Sequence, residues 1–320
     1  MTSTMLEGIP KFGYVRALEF LLIAKESDTA VLTWGSPGIG KSSFMDYLRY
    51  SLDGEAVYNP SERQALRESG GLEPIETIIG SIADPTDILG FPHALGPEGE
   101  KWIQFLPRKW AKTLLEAKRG VLFLDELTSC PPTVQNALLK LVLDKVAGDI
   151  TLPKDVYIVA AANPPTQMAV GFDLTPPIAN RFAHMIFDPR LGTSFNDHGT
   201  EAWVQGSSQG WDWVYEGVNL PKRLSDDEIF KLRGLVYGYL RSNPGAIIDH
   251  NDASTASEMP LAYPTHRSWD SVVKMLSYIN PTNDSGTDDE MKSAVIRSLI
   301  GQNAASGLLS YMKRVDLPSP

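Results

Sequence analysis

Ala30-Val31-Leu32-Thr33-Trp34-Gly35-Ser36-Pro37-Gly38-Ile39-Gly40-Lys41-Ser42-Ser43 is a short apolar run, then G-x-x-x-x-G-K-S, then a segment that continues as a helix. A phosphate-binding loop needs that order, strand before and helix after. The glycines let successive backbone N–H groups turn inward around an anion, and the helix N-terminus adds partial positive charge. In such a loop Gly35, Ser36, Pro37, Gly38, Ile39, Gly40, Lys41, Ser42 and Ser43 form the cradle. Lys41 neutralises the β- and γ-phosphates of a nucleotide, and the Ser42 hydroxyl is placed to ligate Mg²⁺. The bland alternative is a Gly-rich turn with an exposed lysine, which three glycines and a K-S pair in register argue against.

The chain has 320 residues, enough for one large or two moderate domains with a full core. A hydrophobic share of 42% and a charged share of 21% place it among ordinary soluble globular proteins. The net charge of −10 weighs against a protein whose main task is gripping nucleic acid. Cys130 is the single cysteine, which excludes an intrachain disulfide and a cysteine-built zinc site, and the five histidines show no metal-ligand spacing. No signal-like run and no bilayer-length apolar segment is visible, so the expectation is a cytoplasmic protein with no membrane partner.

The spacing predicts a loop over 1–13, a helix over Tyr14–Lys25 and a strand at Ala30–Trp34. Phe44, Met45 and Leu48 then predict a helix ending near Leu52. Residues 53–74 are polar and weakly periodic and read as an insertion. A strand follows at 75–82, a Pro85-to-Gly90 helical turn, a loop or hairpin over 93–106, and a helix after Pro107. Gly120-Val121-Leu122-Phe123-Leu124-Asp125-Glu126 reads as a buried parallel strand with two acids at its carboxyl end. Helix, half-hairpin and a second buried strand, Val156–Ala162, come next, the strand stopping at Asn163 before two prolines. A short helix at Pro177 and a strand at His184–Phe187 close an alternating region. Residues 191–224 are rich in Gly, Ser and Trp, with Trp203, Trp211 and Trp213 close together. Helices are predicted behind the capping box Ser225–Glu228, behind Thr265, and over 287–313.

In open α/β sheets ligands sit at the carboxyl ends of strands. Asp125 is therefore expected to face Ser42 and hold Mg²⁺ through water, and Glu126 to act as general base or water-orienting group. Alternation along a strand points the two acids to opposite faces, giving them different work. The Asn163 amide can hold water or a γ-phosphate oxygen. Arg181 and Arg267 are the cationic candidates, and surface salt bridges are the alternative for both. Arg267 stands in a first helical turn, where the macrodipole disfavours a cation by about 0.3–1 kcal/mol.

Together these residues resemble the AAA+ ATPases, and more closely their MoxR branch. Gly35–Ser42 resembles Walker A, and Val121–Glu126 resembles Walker B with its catalytic glutamate. Asn163 resembles sensor 1, Arg181 in L-T-P-P-I-A-N-R-F the arginine finger that acts on a neighbour's nucleotide, and Arg267 in P-T-H-R-S-W the sensor 2 arginine of the lid. D-P-T-D-I-L-G-F-P at 84–92 matches a stretch where the branch carries an insert facing the pore or a partner. The resemblance covers residues 30–190, and beyond them the helix of Arg267. It implies an α/β core (1–190) with a five-stranded parallel sheet between helices, a smaller all-α lid (191–320) joined through the atypical 191–224 connection, ATP and Mg²⁺ as ligands, and a hexameric ring. It also implies a von Willebrand A-domain protein as the remodelled partner. A nucleic-acid motor or clamp loader on the same core, and a nucleotide-gated scaffold with little hydrolysis, are the competing readings. The acidic balance weighs against the first. The set Glu126, Asn163 and Arg181 weighs against the second.

Overall fold

The structure, a computed structural model, describes residues 6–315 apart from 58, 99, 165–166, 168–170, 190, 192–217, 249–260 and 280–286. A two-residue strand β1 (Lys11–Phe12) and helix α1 (Tyr14–Glu26) precede β2 (Val31–Trp34). The glycine loop follows, then α2 (Lys41–Phe44), a 3-10 turn (Met45–Leu48) and α3 (Pro60–Ser69). Next come β3 (Ile75–Ile79), α4 (Pro85–Leu89), β4 (Phe91–Leu95), β5 (Trp102–Leu106) and α5 (Lys109–Ala117). The alternating part ends with β6 (Arg119–Asp125), α6 (Pro132–Asp144), β7 (Val146–Ala147), β8 (Ile150–Thr151), β9 (Asp155–Ala162), α7 (Pro176–Ala179) and β10 (Ala183–Phe187). Beyond it lie α8 (Asp226–Ser242), α9 (His266–Leu276) and α10 (Thr287–Arg314).

Six strands form one all-parallel sheet in the spatial order β1-β10-β2-β9-β6-β3. From β2 the chain crosses to the far edge at β3 and returns through β6 and β9, so the strand order reverses at β2. That reversal opens the crevice in which such sheets hold ligands. The sheet has one strand more than the expected five. Lys11 and Phe12, expected in a loop, pair with Ile186 and Phe187, and two residues carry no periodicity from which a strand could be read.

Strand alternation divides the core in two. Tyr157, Val159 and Ala161 of β9 join a cluster with α1 and the helices α8–α10, while Val156, Ile158, Ala160 and Ala162 join α5 and α6 on the other face. Val272 and Val295 are fully buried against the α1 side, each stabilising the packing by about 1.5–3 kcal/mol. Among the described residues no helix is long and apolar enough to cross a membrane.

Two local expectations change. The helix after the glycine loop tightens to 3-10 at Met45 and ends at Leu48 rather than near Leu52. Its terminal carbonyls serve a side chain: Arg63, fully buried, donates to the Asp46 and Arg49 carbonyls. Arg63 belongs to α3, which lies inside the stretch expected to be an insertion and is capped by Asn59, whose side chain accepts from Glu62 N. Of the loop or hairpin expected over 93–106 the structure forms the hairpin, beginning earlier at Phe91, with β4 pairing with β5, and Phe91, Trp102 and Ile103 are 51%, 57% and 60% exposed on it. Trp203, Trp211 and Trp213, with most of 191–224, lie outside the described residues.

Candidate nucleotide site

Gly35 N donates to Ala162 O at 3.1 Å, which fastens the glycine loop to the end of β9. A Cβ at Gly35 would stand 2.6 Å from Ile39 Cδ1 and 3.1 Å from the Phe187 carbonyl. Gly38 (φ +76°) and Gly40 (φ +88°) adopt left-handed backbone, and a Cβ on either would meet nothing within 4 Å. Conformation, not crowding, therefore demands glycine there, and the space over the loop is open.

Lys41 is buried, and its ammonium donates to Gly35 O (2.7 Å), Ser36 O (3.0 Å) and Asn163 Oδ1 (2.9 Å). Burial lowers its pKa, opposed by the Asp125 and Glu126 carboxylates. Ser42 Oγ donates to Asp125 Oδ2 at 2.9 Å, and Asp125 Oδ1 accepts from Glu126 N at 2.9 Å. Parallel pairing of β2, β9 and β6 thus gathers Lys41, Ser42, Asp125, Glu126 and Asn163 at the carboxyl ends of the three central strands.

The sequence predicts that strand alternation separates the two acids, and the structure separates them differently. β6 ends at Asp125, and Glu126 has left-handed backbone, φ 54° and ψ 42°. That conformation costs a non-glycine residue about 1–2 kcal/mol, and such residues gather where geometry matters more than comfort. A tight turn holds it, with Ser129 N donating to Glu126 O at 2.8 Å. Gly80 makes room, since a Cβ there would lie 2.4 Å from Cys130 Sγ and 2.6 Å from Glu126 O. Burial first, and the Glu126 charge second, push the Cys130 thiol up to about 12, so it stays protonated and inert.

The donor set fits Mg²⁺. A hydroxyl and a carboxylate, both hard oxygen donors, converge at Ser42 and Asp125. Among the described residues no cluster of three or more His, Cys, Asp or Glu forms a protein cage for a metal. Such a site suits an ion that takes most of its shell from phosphate and water. Beside the loop a cavity of about 860 Å³ is lined by Gly8, Ile9, Gly35, Ile39, Phe187 and Asp188 among others. Its N-terminal wall comes from the stretch expected to be a loop, and Gly8 turns the chain there at φ +82°.

Arg181 stands elsewhere. It lies two residues before Ala183, which pairs with Val31, the first residue of β2, whereas the glycine loop follows Trp34, the last. At about 3.3 Å per residue, β2 puts roughly 10 Å of strand between the two ends. Arg181 Nη1 donates to Pro177 O at 2.5 Å, and burial, then the charge of Arg267, lower its pKa. Arg267, exposed in the first turn of α9, thus acts on Arg181 by its charge, while the charges acting on Lys41 are Asp125 and Glu126.

The Sigma-54 interaction domain model matches residues 109–173, which include Asp125, Glu126 and Asn163. The phenol regulator MopR of Acinetobacter guillouiae is 27% identical over 162 residues, 49% of this chain and 26% of that protein, so the match spans about a quarter of that relative's length. A candidate ATPase from Cytophaga hutchinsonii of known structure matches over 99% of this chain and 94% of its own, at 14% identity and a TM-score of 0.52. Taken with the strand order, these likenesses give the chain the fold of an AAA+ ATPase, a parallel core followed by a helical region.

Proposed function

We propose that this is a cytoplasmic ATPase of MoxR type that assembles into a hexameric ring and uses hydrolysis of Mg-ATP to remodel or activate a partner protein. The observation that carries the reading is the set of contacts at the carboxyl ends of the central strands: Lys41 to Asn163, Ser42 to Asp125, and Glu126 beside them. In this reading the loop from Gly35 to Ser43 holds the triphosphate, and Ser42 and Asp125 hold Mg²⁺, which supplies charge neutralisation at the phosphates. Glu126 accepts the proton of the attacking water, and Asn163 orients that water or a γ-phosphate oxygen. The cavity between Gly8 and Phe187 takes the base and ribose.

Arg181 stands at the far end of β2 from its own loop, which supports a finger that serves a neighbouring subunit. Such an arginine contributes about 10³–10⁵ in rate. The exposed Phe91, Trp102 and Ile103 offer an apolar surface to a partner. A von Willebrand A-domain protein is the partner the MoxR resemblance implies. The likeness to a sigma-54 interaction domain and to a phenol regulator favours a second reading, in which the partner belongs to the transcription machinery.

Glu126→Gln tests the reading directly. ATP affinity is expected to stay within a few-fold while turnover falls by about 10²–10⁴, the usual worth of a general base. Equilibrium binding of a fluorescent ATP analogue and single-turnover hydrolysis measure the two, and unchanged turnover removes Glu126 from its role. The same variant loaded with ATP separates the two partners: retention of an A-domain protein supports the first, retention of sigma-54 polymerase the second.

A further inference from the structure

Asn180 ends the short helix that carries Arg181, and its buried amide is used at both ends. Nδ2 donates to Tyr263 O at 3.0 Å, and Oδ1 accepts from Thr265 Oγ1 at 2.8 Å. The reversed amide would set oxygen against the Tyr263 carbonyl, so the pair fixes its orientation. Thr265 is the N-cap of α9, and its Oγ1 also accepts from Ser268 N at 3.2 Å. One hydroxyl therefore starts the helix of Arg267 and ties it to the end of the helix of Arg181. Tyr263 closes the joint from the other side, its hydroxyl donating to Pro176 O at 3.0 Å at the start of α7. Ser268 Oγ donates to Tyr263 O at 2.9 Å. Tyr263 is fully buried, with Thr265 and Ser268 nearly so.

Arg181 is the residue after Asn180, and Arg267 is the second residue of α9. The bonds of Asn180 and Thr265 tie together the two helix ends that carry these like charges, a costly arrangement that suits a strongly anionic object, and Arg181 stands at the far end of β2 from its own loop. We propose that Asn180 and Thr265 are positioning residues that lock the helical region to the finger helix, presenting Arg181 and Arg267 as one unit to a neighbouring subunit's triphosphate. The proposal rests on the reading of Arg181 as a finger that acts across the subunit contact. It implies that any swing of α9 carries the finger with it.

Mixed assemblies of the full chain test it. Acceptor subunits carry Arg181→Ala, with an intact loop and no finger. Donor subunits carry Lys41→Ala, with intact arginines and no turnover of their own. Mixing restores ATPase if the finger acts across the contact. Thr265→Val, nearly isosteric and without the hydroxyl, is then added to the donor. Rescue is expected to fall about 10- to 100-fold, the scale of a small misplacement of a positioned group, through kcat with KM for ATP within about 2-fold. Thr265→Ser, which keeps the hydroxyl, restores it. No rescue by the plain Lys41→Ala donor overturns the finger reading and this proposal with it. Equal rescue by donors with and without Thr265→Val overturns the joint alone. Loss of rescue when Thr265→Val is placed in the acceptor subunits marks a folding defect and also overturns it.

Discussion

His184 lies wholly buried in β10, where Trp34 Nε1 donates to its Nδ1 at 3.1 Å and its Nε2–H donates to Ala179 O at 2.9 Å. Both ring nitrogens are satisfied by the neutral tautomer, and burial holds the pKa down at about 4. In the unfolded chain the ring binds a proton below about 6.5. Between pH 6.5 and 4 the unfolded state therefore holds more protons, and stability falls as pH falls through that window. A shift of this size is worth about 3 kcal/mol at the acid end. His184→Gln removes the titration: its melting temperature is expected to depend less on pH between 6.5 and 4.5 than that of the parent, as read by thermal scanning. Parallel curves reject the assignment. At this scale the sequence spoke where chemistry fixes spacing. Lys41 and Ser42 stand adjacent, and Asp125 and Asn163 end apolar runs, so all four could be read from the chain. Thr265 and Asn180 are 85 residues apart, and nothing local announces their bond. The left-handed backbone of Glu126 was equally silent, because it depends on Gly80 reaching the turn from another strand.

Among elements, α10 shows what periodicity can and cannot tell. Its apolar spacing marks a helix over the whole run, yet Gly301 interrupts it at φ 76° and ψ 168°. That region is nearly confined to glycine and costs other residues about 1–3 kcal/mol. The break lets the backbone of the α8–α9 connection approach, since a Cβ at Gly301 would lie 2.7 Å from Ala262 O. Gly301→Ala is expected to destabilise by about 1–3 kcal/mol, read from the midpoint of urea unfolding, and a straightened but equally stable variant refutes the account. A glycine inside a helical pattern hints at such a break. The reason for it, a carbonyl from 39 residues earlier in the chain, belongs to tertiary structure. The 3-10 turn at Met45–Leu48 is a similar case, shaped by Arg63 from a segment whose polarity concealed its role.

For the whole molecule, the alternation of strand and helix established the class, but strand order did not follow from spacing; it came with the resemblance to AAA+ ATPases. The edge strand β1 came from neither. Assembly is the property on which the proposed function turns. Glu126→Gln with Mg-ATP is expected to sediment as a larger species than the same chain without nucleotide, and a monomer at working concentration under both conditions rejects the ring. The short strand β2 sets the rest. With its own loop at one end and Arg181 level with the other, every subunit has a share in two reactions if that arginine works across the contact as proposed. A closed circle of n copies then holds n finished sites, while an open arc of n copies holds n − 1, with an idle loop at one tip and an idle arginine at the other. Output follows the number of junctions rather than the number of copies.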